Sequence, residues 1–83
     1  MIETLVAKGK ILENAGYEYN FDRMVYFNRA AKKVFSIEFV EDHDETELRR
    51  RISEETNGSE WRFYFNNPYP PEAVKRELEN VLA

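Results

Sequence analysis

The stretch Met24-Val25-Tyr26-Phe27-Asn28-Arg29-Ala30-Ala31-Lys32-Lys33-Val34-Phe35-Ser36-Ile37-Glu38-Phe39-Val40 decides the fold class. Two runs rich in aromatic and β-branched residues flank a short break, the pattern of two strands joined by a turn. A four-residue loop built on a type I turn pairs Asn28 with Lys33 and puts Lys32 in the left-handed region, at some cost without glycine. Side chains alternate along a strand, so this register assigns every residue to a face. Met24, Tyr26, Phe35, Ile37 and Phe39 share one face; Val25, Phe27, Val34 and Val40 share the other with Ser36 and Glu38. Both faces are largely apolar, whereas a sheet with one wet face alternates more cleanly. The second face is therefore covered by a helix of the chain or offered to a partner.

Upstream, Tyr17-Glu18-Tyr19-Asn20-Phe21 reads as a further strand, and residues 2–15 read as a helix with Ile2, Leu5, Val6, Leu12 and Ala15 on its apolar stripe. Gly16 closes that helix, since glycine takes the left-handed conformation of a C-cap without a Cβ penalty. Gly9 lies inside it at a cost of ~1 kcal/mol relative to alanine. Downstream, Asp44 reads as the N-cap of a second helix with Glu47 in capping-box relation. That helix is expected to run to about Thr56 and to stop at Asn57-Gly58. Leu48 and Ile52 give it a narrow apolar stripe, and Glu45/Arg49 and Glu47/Arg51 are i,i+4 ion pairs.

Trp61-Arg62-Phe63-Tyr64-Phe65 alternates as a last strand, with Trp61, Phe63 and Phe65 on one side and Arg62 and Tyr64 on the other. The loop Asn66-Asn67-Pro68-Tyr69-Pro70-Pro71 ends it. Pro71 suits the first turn of a final helix, and Val74, Leu78, Val81 and Leu82 form its stripe. The expected class is α+β: a mainly antiparallel sheet of three to four strands with three helices, in the order α-β-β-β-α-β-α.

The length of 83 residues fits one domain over 1–83. Mixed charge of both signs and ample apolar content suit a folded chain rather than a disordered one. Cysteine is absent, which excludes a disulfide framework and a thiolate metal site and fits a reducing cytoplasm. No apolar run approaches a membrane span, and the start lacks the layout of a signal peptide. A net charge of −4 speaks mildly against nucleic acid as a default partner.

No constellation carries catalysis. His43, between Asp42 and Asp44 and near Glu41 and Glu45, is accounted for by a helix start, where carboxylates suit the helix dipole. Asp22 and Glu38 could be two carboxylates of a metal-dependent nuclease, but the lysine that should follow is replaced by Val40. With no cysteine nucleophile, no evident serine partner for the histidine and no phosphate loop, the chain is expected not to be an enzyme, with no metal and no cofactor. Tyr69-Pro70-Pro71 lacks the second spaced proline of a polyproline ligand.

The leading expectation is a non-catalytic protein-interaction or regulatory module, homodimerisation being one form of it. Twelve aromatic side chains exceed what a minimal core needs, and Val25, Phe27, Val34, Val40 and Tyr64 are the candidate interface. The alternative is nucleic-acid binding through Arg29, Lys32, Lys33, Arg49, Arg50, Arg51 and Arg62, with Tyr26 and Tyr64 available for stacking. Glutamates at 45, 47, 54 and 55 can screen those arginines. A third class is a small acidic inhibitor of a basic partner, although −4 is also an ordinary charge for solubility.

Overall fold

The computed structural model describes residues 2–55, 60–65 and 72–82. In chain order the elements are α1 (Ile2–Asn14), β1 (Glu18–Asn20), β2 (Val25–Asn28), β3 (Lys33–Ser36), α2 (Ile37–Asp42), α3 (Glu45–Ser53), β4 (Arg62–Tyr64) and α4 (Glu72–Leu82). The strands form one sheet in the order β1-β2-β3-β4. The first two pairings are antiparallel and β3–β4 is parallel. The α+β class and the mainly antiparallel sheet are as the sequence implies. The parallel strand follows from topology, because α2 and α3 form the crossover that carries the chain back to start β4 beside β3. The expected stop at Asn57-Gly58, the loop from Asn66 to Pro71, and the side chains of Ile2 and Val74 lie outside the described residues.

The two hairpins are built on one plan. Asn28 pairs with Lys33 and Asn20 with Val25, each pair closing a loop of four residues, 29–32 and 21–24. Asn28 Oδ1 accepts from the backbone N–H of Ala31 at 3.0 Å, and Asn20 Oδ1 accepts from that of Arg23 at 2.9 Å. Short polar side chains that bind the backbone ahead of them are the usual nuclei of such turns. The last loop residue is left-handed in both, Lys32 at φ 55° and Met24 at φ 57°. The second turn is the one expected; the first repeats it.

Beyond Ser36 the chain departs from the expected strand. Instead of continuing to Val40, β3 stops and α2 begins, with Ser36 as its N-cap and its Oγ accepting from Phe39 N–H at 3.1 Å. The residues 37–40 favour strands by type, but a serine hydroxyl satisfying an orphan donor, with Glu38 in the first turn, favours a helix start. The consequence is that Phe39 and Val40, placed on opposite faces by a strand, join the same core with Leu12, Tyr17, Phe35, Leu48 and Tyr64. An extra short helix is the result, four in all among the described residues.

Two buried lysines hold these helices by their C-terminal ends. Lys8 of α1 donates to the carbonyls of Val40 (3.0 Å) and Glu41 (3.2 Å) at the end of α2. Lys33 of β3 donates to Arg51 O (3.0 Å), Ile52 O (2.8 Å) and Glu54 O at the end of α3. A cation there satisfies carbonyls that have no partner within the helix and faces the negative end of its dipole. Asp44 starts α3 as expected, accepting from Glu47 N–H at 2.8 Å, but the helix ends at Ser53 rather than near Thr56.

Each face of the sheet has its own core. On one side α1, α2 and α3 cover Tyr26, Phe35 and Tyr64. On the other, Leu78 and Leu82 of α4 cover Val25, Phe27, Val34 and Phe63, with Trp61 and Phe65 packed alongside. The alternation assigned to 61–65 therefore holds. Two stripe residues do not go inside: Val81 is 42% exposed and Val6 54% exposed.

Gly9 has a reason beyond helix propensity. A Cβ at that position would lie 2.8 Å from the Tyr26 hydroxyl oxygen, so the absent side chain admits the ring of β2 beneath α1. Gly9→Ala should lower stability by about 1 kcal/mol or more despite its better helix propensity. In Gly9→Ala/Tyr26→Phe the clashing oxygen is gone and most of that loss should be recovered; chemical denaturation of the four members of the cycle checks it.

Candidate interaction surface

The five residues expected to offer an apolar face to a partner are all inside the chain. Val25, Phe27 and Val34 lie under α4, while Val40 and Tyr64 sit in the core beneath α1, α2 and α3. The expectation fails at its premise, since both sides of the hairpin are covered by helices of this same chain. Val40 moves for a further reason, standing on a helix rather than a strand.

The basic set does not form an open stripe either. Arg49 pairs with Glu45 (3.5 Å), Arg50 and Arg51 share Glu47 (2.7 Å each), and Arg51 and Arg62 reach Glu54 (3.7 and 3.2 Å). Arg29 donates to Leu82 O at 2.6 Å, pairs with Glu18 at 3.5 Å and lies over the Phe27 ring. Lys33 is buried and committed to capping α3; burial pushes its amine below the ordinary range, with Glu54 drawing it back up. Lys32 is half-buried at its turn. Of the two stacking candidates, Tyr64 gives its hydroxyl to Glu54 Oε1 at 2.7 Å and stacks on Phe35, and Tyr26 is half-buried under α1.

The remaining polar candidates are structural. The His43 ring lies flat on Phe39, with centroids 3.9 Å apart, and its Nδ1 is 2.8 Å from Phe39 O, which fixes the exit from α2. Glu38 is on the first turn of α2 and Asp22 in the first hairpin loop, so they are not neighbours on adjacent strands. Among the described residues no group of three or more His, Cys, Asp or Glu could hold a metal ion. Nor is any helix among them long and apolar enough to cross a membrane.

Besides Val6 and Val81, the large apolar side chains exposed among the described residues are at the tip of the first hairpin. Phe21 is 82% exposed and Met24 55% exposed, on the same four-residue turn. The turn is pinned on several sides: Arg23 N–H to Asn20 Oδ1, the Arg23 guanidinium to Glu77 of α4 at 2.7 Å, and Ile37 N–H to Met24 O at 3.0 Å. Phe21 meets Tyr19 edge-on at 4.8 Å, and Tyr19 leans on Tyr26 at the same distance. A short aromatic row thus runs from the tip along β1, which is an edge strand of the sheet.

Backbone alternation fixes what that edge presents. The bond from Ile37 N–H to Met24 O makes Met24/Ile37 a hydrogen-bonded pair in the antiparallel ladder. Such pairs alternate, so Tyr26 and Asn28 point their backbone groups at β3, while Val25 and Phe27 point theirs at Asn20 and Glu18. Tyr19 is then the residue of β1 whose N–H and C=O both face outward. The sequence did carry a signal for this surface: the turn pattern Asn28-Arg29-Ala30-Ala31-Lys32-Lys33 recurs as Asn20-Phe21-Asp22-Arg23-Met24-Val25, with apolar residues at three places where the other has cations, two of them, Phe21 and Met24, within the loop. Compared with known proteins, the chain matches no family model, no curated protein and no solved structure.

The ion network along α3 and β4 sets an acid limit on stability. Arg50 and Arg51 hold the Glu47 carboxyl down from 4.5 to about 2, and the Tyr64 hydroxyl, with Arg51 and Arg62, holds Glu54 low. A carboxylate with a depressed folded-state pKa contributes stability above its unfolded value, and that contribution disappears as pH falls toward the folded value. Thermal melts should therefore show a Tm that declines from pH ~4.5 downward toward pH ~2, and Glu54→Gln with Glu47→Gln should flatten that slope. The network is at the surface, so added salt should shrink the effect.

Proposed function

We propose that this chain is a non-catalytic protein-interaction module and that its contact surface is the first hairpin tip, Phe21 and Met24, with the aromatic row behind it. The observation that carries this is the internal comparison between the two hairpins. Both turns have four residues, an asparagine bracing the backbone and a left-handed last residue, and the fold builds the second with Arg29 and Lys32 where the first has Phe21 and Met24. The turn does not require apolar side chains at those places. A phenylalanine left in water forgoes roughly 1.5–3 kcal/mol of burial, most of which a partner's surface would return. Rigid exposed aromatics are the residues that dominate protein contacts, and here the backbone beneath is already fixed, which lowers the entropic cost of docking.

The test uses the equivalence of the two turns. A photoreactive phenylalanine analogue placed at Asp22 or at Ala30 occupies the same position in each. Cross-linking to protein, whether another chain or a second copy, is expected from position 22 and not from position 30. Phe21→Ser with Met24→Ser should abolish the adduct while changing unfolding stability by no more than about 0.5 kcal/mol. Equal adducts from both turns, or adducts indifferent to the two serines, would contradict the proposal.

A further inference from the structure

We infer that the partner fitted by this surface is a second copy of the chain, paired antiparallel along the β1 edge with the two-fold axis at Tyr19. The inference rests on the hairpin-tip reading above and adds the identity and register of the occupant. Its first support is the backbone. Tyr19 carries the outward N–H and C=O of β1, so a two-fold axis at that residue closes two reciprocal hydrogen bonds, Tyr19 N–H to the other Tyr19 O and the reverse. Neighbouring registers lose these bonds. With the axis at Asn20 the outward pair of Tyr19 would face Phe21, which belongs to the turn and not to β1, and Glu18 would oppose Asp22; with the axis at Glu18 it would face Tyr17, whose N–H is already given to Leu12 O.

The side chains agree with the same register. Residues directly opposite share a face, so Glu18 of one copy meets Asn20 of the other, twice. Glu18 is largely exposed, and Asn20 uses its Oδ1 on the turn, which leaves its amide N–H groups to donate to that carboxylate. Centring on Glu18 would instead set two carboxylates against each other, the destabilising arrangement for a cross-strand pair. On the opposite face the two Tyr19 rings come together, extended on both sides by Phe21 and Tyr26. Phe21 then lies across from position 17 of the other copy, where the chain leaves α1 through the exposed Gly16. The product is a continuous eight-stranded sheet with α1 of both copies on one side. Each copy carries −4, so screening by salt should tighten the association rather than loosen it.

Sedimentation equilibrium from micromolar to ~1 mM chain, at low and high salt, gives the first readout. A reversible dimer is expected, strengthened by salt and weakened about tenfold or more by Phe21→Ser. Amide hydrogen exchange of the same chain gives the register. Glu18 and Asn20 amides should be protected at every concentration, whereas the Tyr19 amide should exchange freely in dilute solution and slow by about tenfold when concentrated. The chain has no cysteine, so Tyr19→Cys introduces a unique thiol that should oxidise to a covalent dimer, since opposed Cα atoms ~5.5 Å apart lie within disulfide range. Glu18→Cys, two positions out of opposition from its own copy, should not. A dimer whose Tyr19 amide stays unprotected, or in which Glu18→Cys links as well as Tyr19→Cys, overturns the pairing but leaves the tip as a contact. A monomer throughout the concentration range overturns self-association, and the position-22 cross-link then decides alone whether the tip binds another protein.

Discussion

The hydroxyl of Ser36 is the point on which the architecture turns. By accepting the Phe39 N–H it ends β3 after four residues and starts a helix in the middle of a run that strand preference alone would extend to Val40. Had the strand continued, Phe39 and Val40 would lie on opposite faces. As a helix they fall together into the core under α1, and the chain is delivered through α2 and α3 to the start of a parallel β4. The covering of both faces, and with it the loss of the broad apolar interface, depends on that turn out of the sheet.

The crossover so created is held by cations rather than by apolar area alone. α2 and α3 are short, with Phe39, Val40 and Leu48 as their buried residues, and each ends in carbonyls that need donors. Lys8 and Lys33 supply them from α1 and from the centre of the sheet, so helix ends are tied to elements already fixed by the core. The price of burying each ammonium is offset by two or three carbonyl partners, where an unpaired one would cost several kcal/mol. Arg49, Arg50, Arg51 and Arg62, which by sequence could have served nucleic acid, belong to the glutamate network along α3 and β4.

Much of the fold was legible because its signals are local. The Asn28–Lys33 turn, the left-handed Lys32, the Asp44 cap, the glycine stop at Gly16 and the alternation around Phe63 all follow from residue type and spacing. What was not legible needed a third dimension. Ile37 to Val40 suits a strand by composition, and only the serine before it, read as a cap, argues otherwise. Val81 fits the helical period but is 42% exposed, while Leu78 and Leu82 pack against the sheet. Whether α4 covers the second face is a packing outcome that no periodicity encodes, and the candidate interface fell with it. The surface that replaced it was present in the sequence as a repeated turn pattern whose two copies differ in polarity at matching positions.

On the proposed reading Phe21 and Met24 serve a contact and not the turn that carries them. The most direct measurement is the unfolding free energy of a chain in which the first tip takes the residues of the second, Phe21→Arg with Met24→Lys, leaving Arg23 and its bond to Glu77 in place. Stability within about 0.5 kcal/mol of the native chain is expected, because the matching turn already folds around those side chains. A loss beyond about 1.5 kcal/mol would show that the exposed pair is structural, and the contradiction would remove the basis for a binding tip.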